Sequence, residues 1–184
     1  NDDVLKTVWQ AVDDQYDSYA DFVNYIYIKI AQGFDYYRWL ITYLFGNSPI
    51  AEKNFFKPDE DQPQHEVRSI RSSNYGLTSD VTHNYRSVPD YVKNIESNIA
   101  SGALFSEAEY HSSVRLKTMH GDLTDMIKNG TEYIELRMLD LDPTTALGVR
   151  TSAIRFFRIL LSYFMMMPTL ESDEKINLKL EQGR

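Results

Sequence analysis

Cysteine is absent from this 184-residue chain. That excludes disulfides, thiolate zinc sites and cysteine nucleophiles. Long hydrophobic runs are also missing. The longest, Ile159 to Met167, is broken by Ser162 and falls far short of the ~20 apolar residues that span a bilayer. There is no glycine-rich phosphate loop, no Gly-x-Ser-x-Gly elbow and no kinase motif set. His65, His83, His111 and His120 lack the close pairing of a metal site, so ordinary hydrogen bonding is the reading for each. Positive charge is scarce: 19 Lys and Arg against 27 Asp and Glu leave a net charge of −8. That argues against a nucleic-acid partner held by overall charge, while local cationic pockets stay open. No signal peptide is visible in the opening Asn1-Asp2-Asp3. An initiator Met is lacking too, so a processed chain or a piece of a longer protein is expected. No membrane span is expected, and cytoplasm is the plain reading of the compartment.

What is present is an aromatic-rich core, with 13 Tyr and 9 Phe in a chain that is 42% hydrophobic. The length suits one domain or a large part of one. Val4, Val8, Val12 and Tyr16, then Val23, Tyr27 and Ile30, recur at helical spacing and predict helix over residues 1–45. Gly33 is the expected break before a second helical stretch from Tyr36 to Phe45, and Gly46 to Pro49 end it. Lys57 to Gln64 is a polar loop between Pro58 and Pro63. Ser87-Val88-Pro89 opens a helix to about Ala100, with Tyr91, Ile95 and Ile99 as its buried stripe. A short helix is expected from Leu123 to Lys128. A last one starts near Thr151, with Ile154, Phe157, Leu161 and Phe164 on its buried side and Pro168 at its end. Leu170 to Arg184 reads as a charged tail or marginal helix.

Three segments read as extended: residues 65–73, 110–117 and 133–139. Each brings charge to one face, namely Arg71, then Arg115 with Lys117, then Glu135 with Arg137. Ile134, Leu136 and Met138 take the opposite face of their strand. Helices with a few separated strands make an α+β fold, mostly helical with a few antiparallel strands. By pattern alone, Glu135 and Arg137 are a surface ion pair on a half-buried strand, which is common. A sheet built from all three segments, however, has a charged floor. Arginine suits fork-like recognition of carboxylate and phosphate, and Mg²⁺ takes one or two carboxylates plus phosphate oxygens. The floor is compatible with nucleotide chemistry.

Glu132-Tyr133-Ile134-Glu135-Leu136-Arg137-Met138-Leu139-Asp140, followed by Asp142-Pro143 and Gly148, resembles a run of bacterial glutamate–cysteine ligases. Tyr43 to Pro49, Ser69 to Ser73 and Tyr110 to Lys117 resemble three further runs of that family, in the same order. The Gram-positive type, free-standing or fused to a glutathione synthetase, is the nearest in pattern. The resemblance implies a catalytic domain similar to that of glutamine synthetase. It also implies ATP- and Mg²⁺-dependent joining of the glutamate γ-carboxylate to the cysteine amine, through an acyl phosphate. Glu135 is then a Mg²⁺ ligand and Arg137 contacts the phosphate in transfer. Arg71 holds a substrate carboxylate, that of the cysteine, and Arg115 and Lys117 sit near the nucleotide.

The chain departs from the family at the cysteine pocket. Leu77 and His111 stand where many relatives have Tyr, and Ser113 where they have Pro. The family's glutamate site and most of its metal carboxylates are expected upstream of Asn1. Residues 1–184 therefore read as one piece, the C-terminal part of the catalytic domain, inactive in isolation. The competing reading is a non-enzymatic helical interaction module whose charged strands form a solvated face.

Overall fold

The computed structural model of the chain describes residues 2–12, 15–56, 62–73, 75–76, 81–119 and 122–168. Leu77, His120, the tail from Leu170 and most of the loop from Lys57, all considered above, lie outside them. Six α-helices and two strands are present among these residues. They are α1 (Asp2–Gln10), α2 (Tyr19–Tyr36), α3 (Arg38–Phe45), α4 (Val88–Ala100), β1 (Val114–Lys117), α5 (Asp125–Asn129), β2 (Tyr133–Leu136) and α6 (Thr151–Met166). β1 and β2 pair antiparallel as a two-stranded sheet. The fold is α+β and mostly helical.

α2 is the axis of the core. It starts where Ser18 accepts the Asp21 N–H at 3.2 Å, satisfying one of the donors that a helix start leaves open. Phe22, Ile26, Ile30 and Phe34 are buried on it, against α6, α5 and β1. α4 repeats the same device with Ser87 and the Asp90 N–H at 3.1 Å, and Val88, Tyr91, Val92 and Ile95 are its buried residues.

Gly33 does not break the helix. It lies inside α2, and the interruption falls at Tyr37. A Cβ on Gly33 would stand 2.4 Å from Cγ of Phe164 on α6. The glycine therefore serves a close helix–helix approach, which the sequence pattern of a helix breaker cannot distinguish. Phe164 also meets Phe34 edge-on at 4.9 Å.

This contact turns α6 away from the expected phase. Ala153, Leu160 and Phe164 are the buried residues, while Ile154 is 51% exposed. A helix that is apolar nearly all round does not announce its inner face. On α1 likewise, Leu5 and Trp9 pack inward while Val4 and Val8 are exposed.

Residues 65–73 are not a strand. Ser69 makes a single bridge with Ser48, and the chain then turns. The serine hydroxyls explain the difference. Ser69 accepts the Ser72 N–H at 3.0 Å, and Ser73 donates to the Ile70 carbonyl at 2.7 Å. Such local bonds compete with a sheet ladder.

Candidate functional site

The register of the sheet sets the two faces. Val114 pairs with Leu136 and Leu116 with Ile134, and Val114 and Leu116 are fully buried in the core. Arg115 pairs with Glu135 and Lys117 with Tyr133 on the other face. Residues directly opposite in an antiparallel pair point the same way. β1 and β2 thus bring two cations and one carboxylate to one side, as the alternation predicts.

That side divides into two regions. In the first, a short 3-10 turn, Glu107–Glu109, packs over β1. The Glu107 carboxylate meets the Arg115 guanidinium at 3.0 Å and the Lys117 ammonium at 2.7 Å. Arg115 also donates to the Glu107 carbonyl at 2.8 Å. Arg115 is 7% exposed, while the Glu107 side chain stays about one-third open to solvent. No sequence pattern pointed to Glu107.

The second region is a small open cleft with an accessible volume of about 90 Å³. Arg71, His111 and Arg137 all line it, three of the residues singled out from the sequence. Arg38 from the first turn of α3 and the hydroxyl residues Ser73 and Ser113 complete the polar wall. Among the described residues, no carboxylate lines the cleft. Arg115, Lys117 and Glu135 are not among its lining residues either. Arg38 escaped the sequence reading because it lies in a helix whose apolar pattern dominates.

Arg137 follows β2 directly, and its N–H donates to the Ser113 carbonyl at 2.9 Å, one step beyond the strand. Its Nε lies 3.8 Å from the Glu135 carboxylate, a loose pair with the Glu135 side chain 46% exposed. Arg137 Nη1 is buried with no hydrogen-bond partner among the described residues. Ser113, in turn, donates to the carboxylate of Asp35, fully buried on α2. Burial pushes the His111 pKa below its ordinary value, and the nearby Arg137 and Arg115 cations push the same way. His111 is accordingly a neutral lining group at neutral pH.

Arg71 and Arg137 are brought side by side by a hydrogen-bonded hub. Asp140, 9% exposed, accepts the Asn47 N–H and the Ser48 hydroxyl, each at 2.8 Å, and the Ser69 hydroxyl at 3.1 Å. Ser72 donates to the Met138 carbonyl at 3.0 Å. The segments 43–49, 69–73 and 133–140 meet here, although they are far apart in sequence.

Glu135 supplies one exposed carboxylate beside Arg137, which fits a single ligand of an oxygen-bound cation. Among the described residues, no three His, Asp or Glu side chains gather as a metal site. No helix among them is long and apolar enough to cross a membrane.

The α+β scaffold presents an arginine- and serine-lined cleft whose donors are of the kind that suits carboxylate and phosphate oxygens. A family model described as glutamate-cysteine ligase matches residues 1–104 and 82–182. The chain belongs to the glutamate–cysteine ligase family. It is 42% identical over 156 residues to the glutathione biosynthesis bifunctional protein of Enterococcus faecalis, covering 84% of this chain and 20% of that protein. The corresponding protein of Streptococcus mutans is 36% identical over 171 residues, covering 92% of this chain and 22% of that one. A bifunctional glutathione synthetase from Pasteurella multocida superposes with a TM-score of 0.84 at 26% identity, over 100% of this chain and 24% of that one. A glutamate–cysteine ligase from Francisella tularensis, solved in complex with AMP, shares the fold with a TM-score of 0.75 at 23% identity, over 98% of this chain and 43% of that one. The chain thus spans about a fifth of the length of the curated relatives it matches.

Proposed function

We propose that these 184 residues are the C-terminal part of the catalytic domain of an ATP-dependent glutamate–cysteine ligase. The single observation that carries the reading is the cleft lined by Arg38, Arg71 and Arg137, with hydroxyls between them and no carboxylate among the described residues. Such a wall suits anionic oxygens, which both the carboxylate substrates and a phosphoryl group present. Membership of the family favours this reading over a helical interaction module.

In the proposed reaction a γ-carboxylate oxygen of glutamate attacks the γ-phosphorus of ATP, and ADP leaves with the electrons of the broken P–O bond. The cysteine amine then attacks the acyl carbon. Inorganic phosphate departs with the former carboxylate oxygen, and the new amide nitrogen gives up its proton. Arg137 is assigned to the phosphate in transfer, and its buried Nη1 without a partner among the described residues supports this. Arg71 is assigned to the cysteine carboxylate, with His111 lining the same cleft; Leu77 is assigned to the cysteine site by the family resemblance alone. Arg115 and Lys117 are assigned to the nucleotide end, where Glu107 holds them in place. Glu135 would hold Mg²⁺, which when bound neutralises phosphate charge. The glutamate site and the other metal carboxylates are assigned to residues outside this chain. A fused glutathione synthetase domain, as the names of the relatives suggest, and a cytoplasmic location complete the reading.

The test is the intact parent protein supplied with glutamate, cysteine and Mg·ATP. γ-Glutamylcysteine should form with one ADP per peptide bond. ADP release without peptide, or no reaction in a folded parent, contradicts the assignment.

A further inference from the structure

We propose that Asp140 is a positioning residue for the ligase reaction: it fixes the span between Arg71 and Arg137 without touching substrate. The inference rests on the ligase reading of the cleft. Asp140 does not line that cleft. Its two oxygens are filled from behind, Oδ2 by the Asn47 N–H and the Ser48 hydroxyl and Oδ1 by the Ser69 hydroxyl. All three donors are neutral. A buried carboxylate is costly unless such bonds satisfy it, so its retention here answers to the geometry it imposes.

The geometry is a double staple. Asp140 ties to Ser69, two residues before Arg71. Ser72, one residue after Arg71, ties to Met138, one residue after Arg137. Ser69 also accepts the Ser72 N–H at 3.0 Å, which closes the turn that presents Arg71. The Ile70 N–H donates to the Ser48 carbonyl at 2.8 Å, so the end of α3 joins the same hub. Arg71 thus leaves a turn bonded on both sides to the segment that follows Arg137, while Arg137 itself is bonded through its N–H to Ser113. Releasing Asp140 lets the two guanidiniums drift apart, and a misplacement of about 1 Å costs about 10²-fold in rate.

The conservative variant separates geometry from charge. In Asp140→Asn the carbonyl oxygen can keep the Asn47 and Ser48 donors, and the new amide can donate to the Ser69 oxygen. Asp140→Ala loses all three bonds.

The experiment measures kcat and KM of the intact parent at temperatures where each variant is fully folded. Asp140→Ala should lower kcat by about 10²-fold with KM for ATP nearly unchanged. Asp140→Asn should stay within about fivefold of the parent, the equivalent of one ordinary hydrogen bond. Ser69→Ala, at a residue that does not line the cleft, removes the tie to Asp140 Oδ1 and should lower kcat by about fivefold. It decides the question if Asp140→Ala does not fold. A folded Asp140→Ala with kcat within twofold of the parent overturns the proposal, as does Asp140→Asn matching Asp140→Ala in its loss. Arg71→Ala and Arg137→Ala complete the set. If they lose turnover while Asp140→Ala keeps it, only the positioning role falls. If they too keep turnover, the ligase reading of the cleft falls with it.

Discussion

Two glutamates face the same side of the sheet and are used in opposite ways. Glu107 sits 3.0 Å from Arg115 and 2.7 Å from Lys117, in a cluster where Arg115 is almost fully buried. Glu135 is 46% exposed and holds Arg137 only loosely, at 3.8 Å. Each arginine retains one buried nitrogen with no hydrogen-bond partner among the described residues, Nε of Arg115 and Nη1 of Arg137. The contrast therefore lies in the carboxylates. A tight clamp locks two cations into the scaffold, whereas a loose pair leaves both partners able to meet a ligand. Strand alternation puts all four charged residues on one face, but it does not say which are engaged.

The largest expected effect separates the two regions by activity. Arg137→Gln in the parent should reduce kcat by about 10²–10³-fold, the usual cost of removing a donor that stabilises developing charge. Its melting temperature should stay close to that of the parent. A loss below tenfold would remove Arg137 from contact with the phosphate in transfer.

A change remote from both regions separates fold from charge. Gly33→Ala forces a methyl group into the Phe164 ring, and overpacking of this kind costs about 1–3 kcal/mol. Denaturant unfolding should show this loss, with the relative affinities for anionic ligands unchanged. A neutral outcome would mean that α6 shifts freely, against the packing described here.

Glu107→Gln breaks the clamp itself. Glu107 is about one-third exposed, with 35% of its side chain open to solvent, so solvent screening reduces the cost to about 1–2 kcal/mol. Unfolding measured at low and at high salt should show it, most clearly at low salt. An unchanged midpoint would make the clamp an incidental surface pair.

The smallest effect is on pH. The His111 pKa is lowered from its ordinary 6.5, chiefly by burial. The fold therefore prefers neutral His111, and the unfolded chain binds the proton first as pH falls. The contribution to stability is complete above about 6.5 and declines as pH falls from there toward the lower folded value. Melting curves of the parent and His111→Gln should converge in acid and separate above it. Parallel curves across that range would remove His111 as a titrating group of the cleft wall.

The cleft was largely legible in the sequence, although by an inaccurate route. Arg71, His111 and Arg137 do line one cleft, yet residues 69–73 reach it as a turn and not as a third strand. The serines that resemble a family motif carry the reason, since their hydroxyls bond the local backbone. Arg115 and Lys117 were found by alternation, but their partner Glu107 lies in a short turn with no periodic signal. Gly33 was read as a breaker because close packing against a residue 131 positions away leaves no local trace. Asp140 was visible only as part of a motif. Its role depends on Asn47, Ser48 and Ser69, which only the folded chain brings together.

The most direct test is Glu135→Gln in the intact parent, measured as γ-glutamylcysteine formation together with thermal unfolding. The loose, exposed carboxylate beside Arg137 predicts that turnover is abolished while the melting temperature is unchanged. Near-normal turnover of the folded variant would contradict the account, leaving Glu135 and Arg137 as an ordinary surface ion pair.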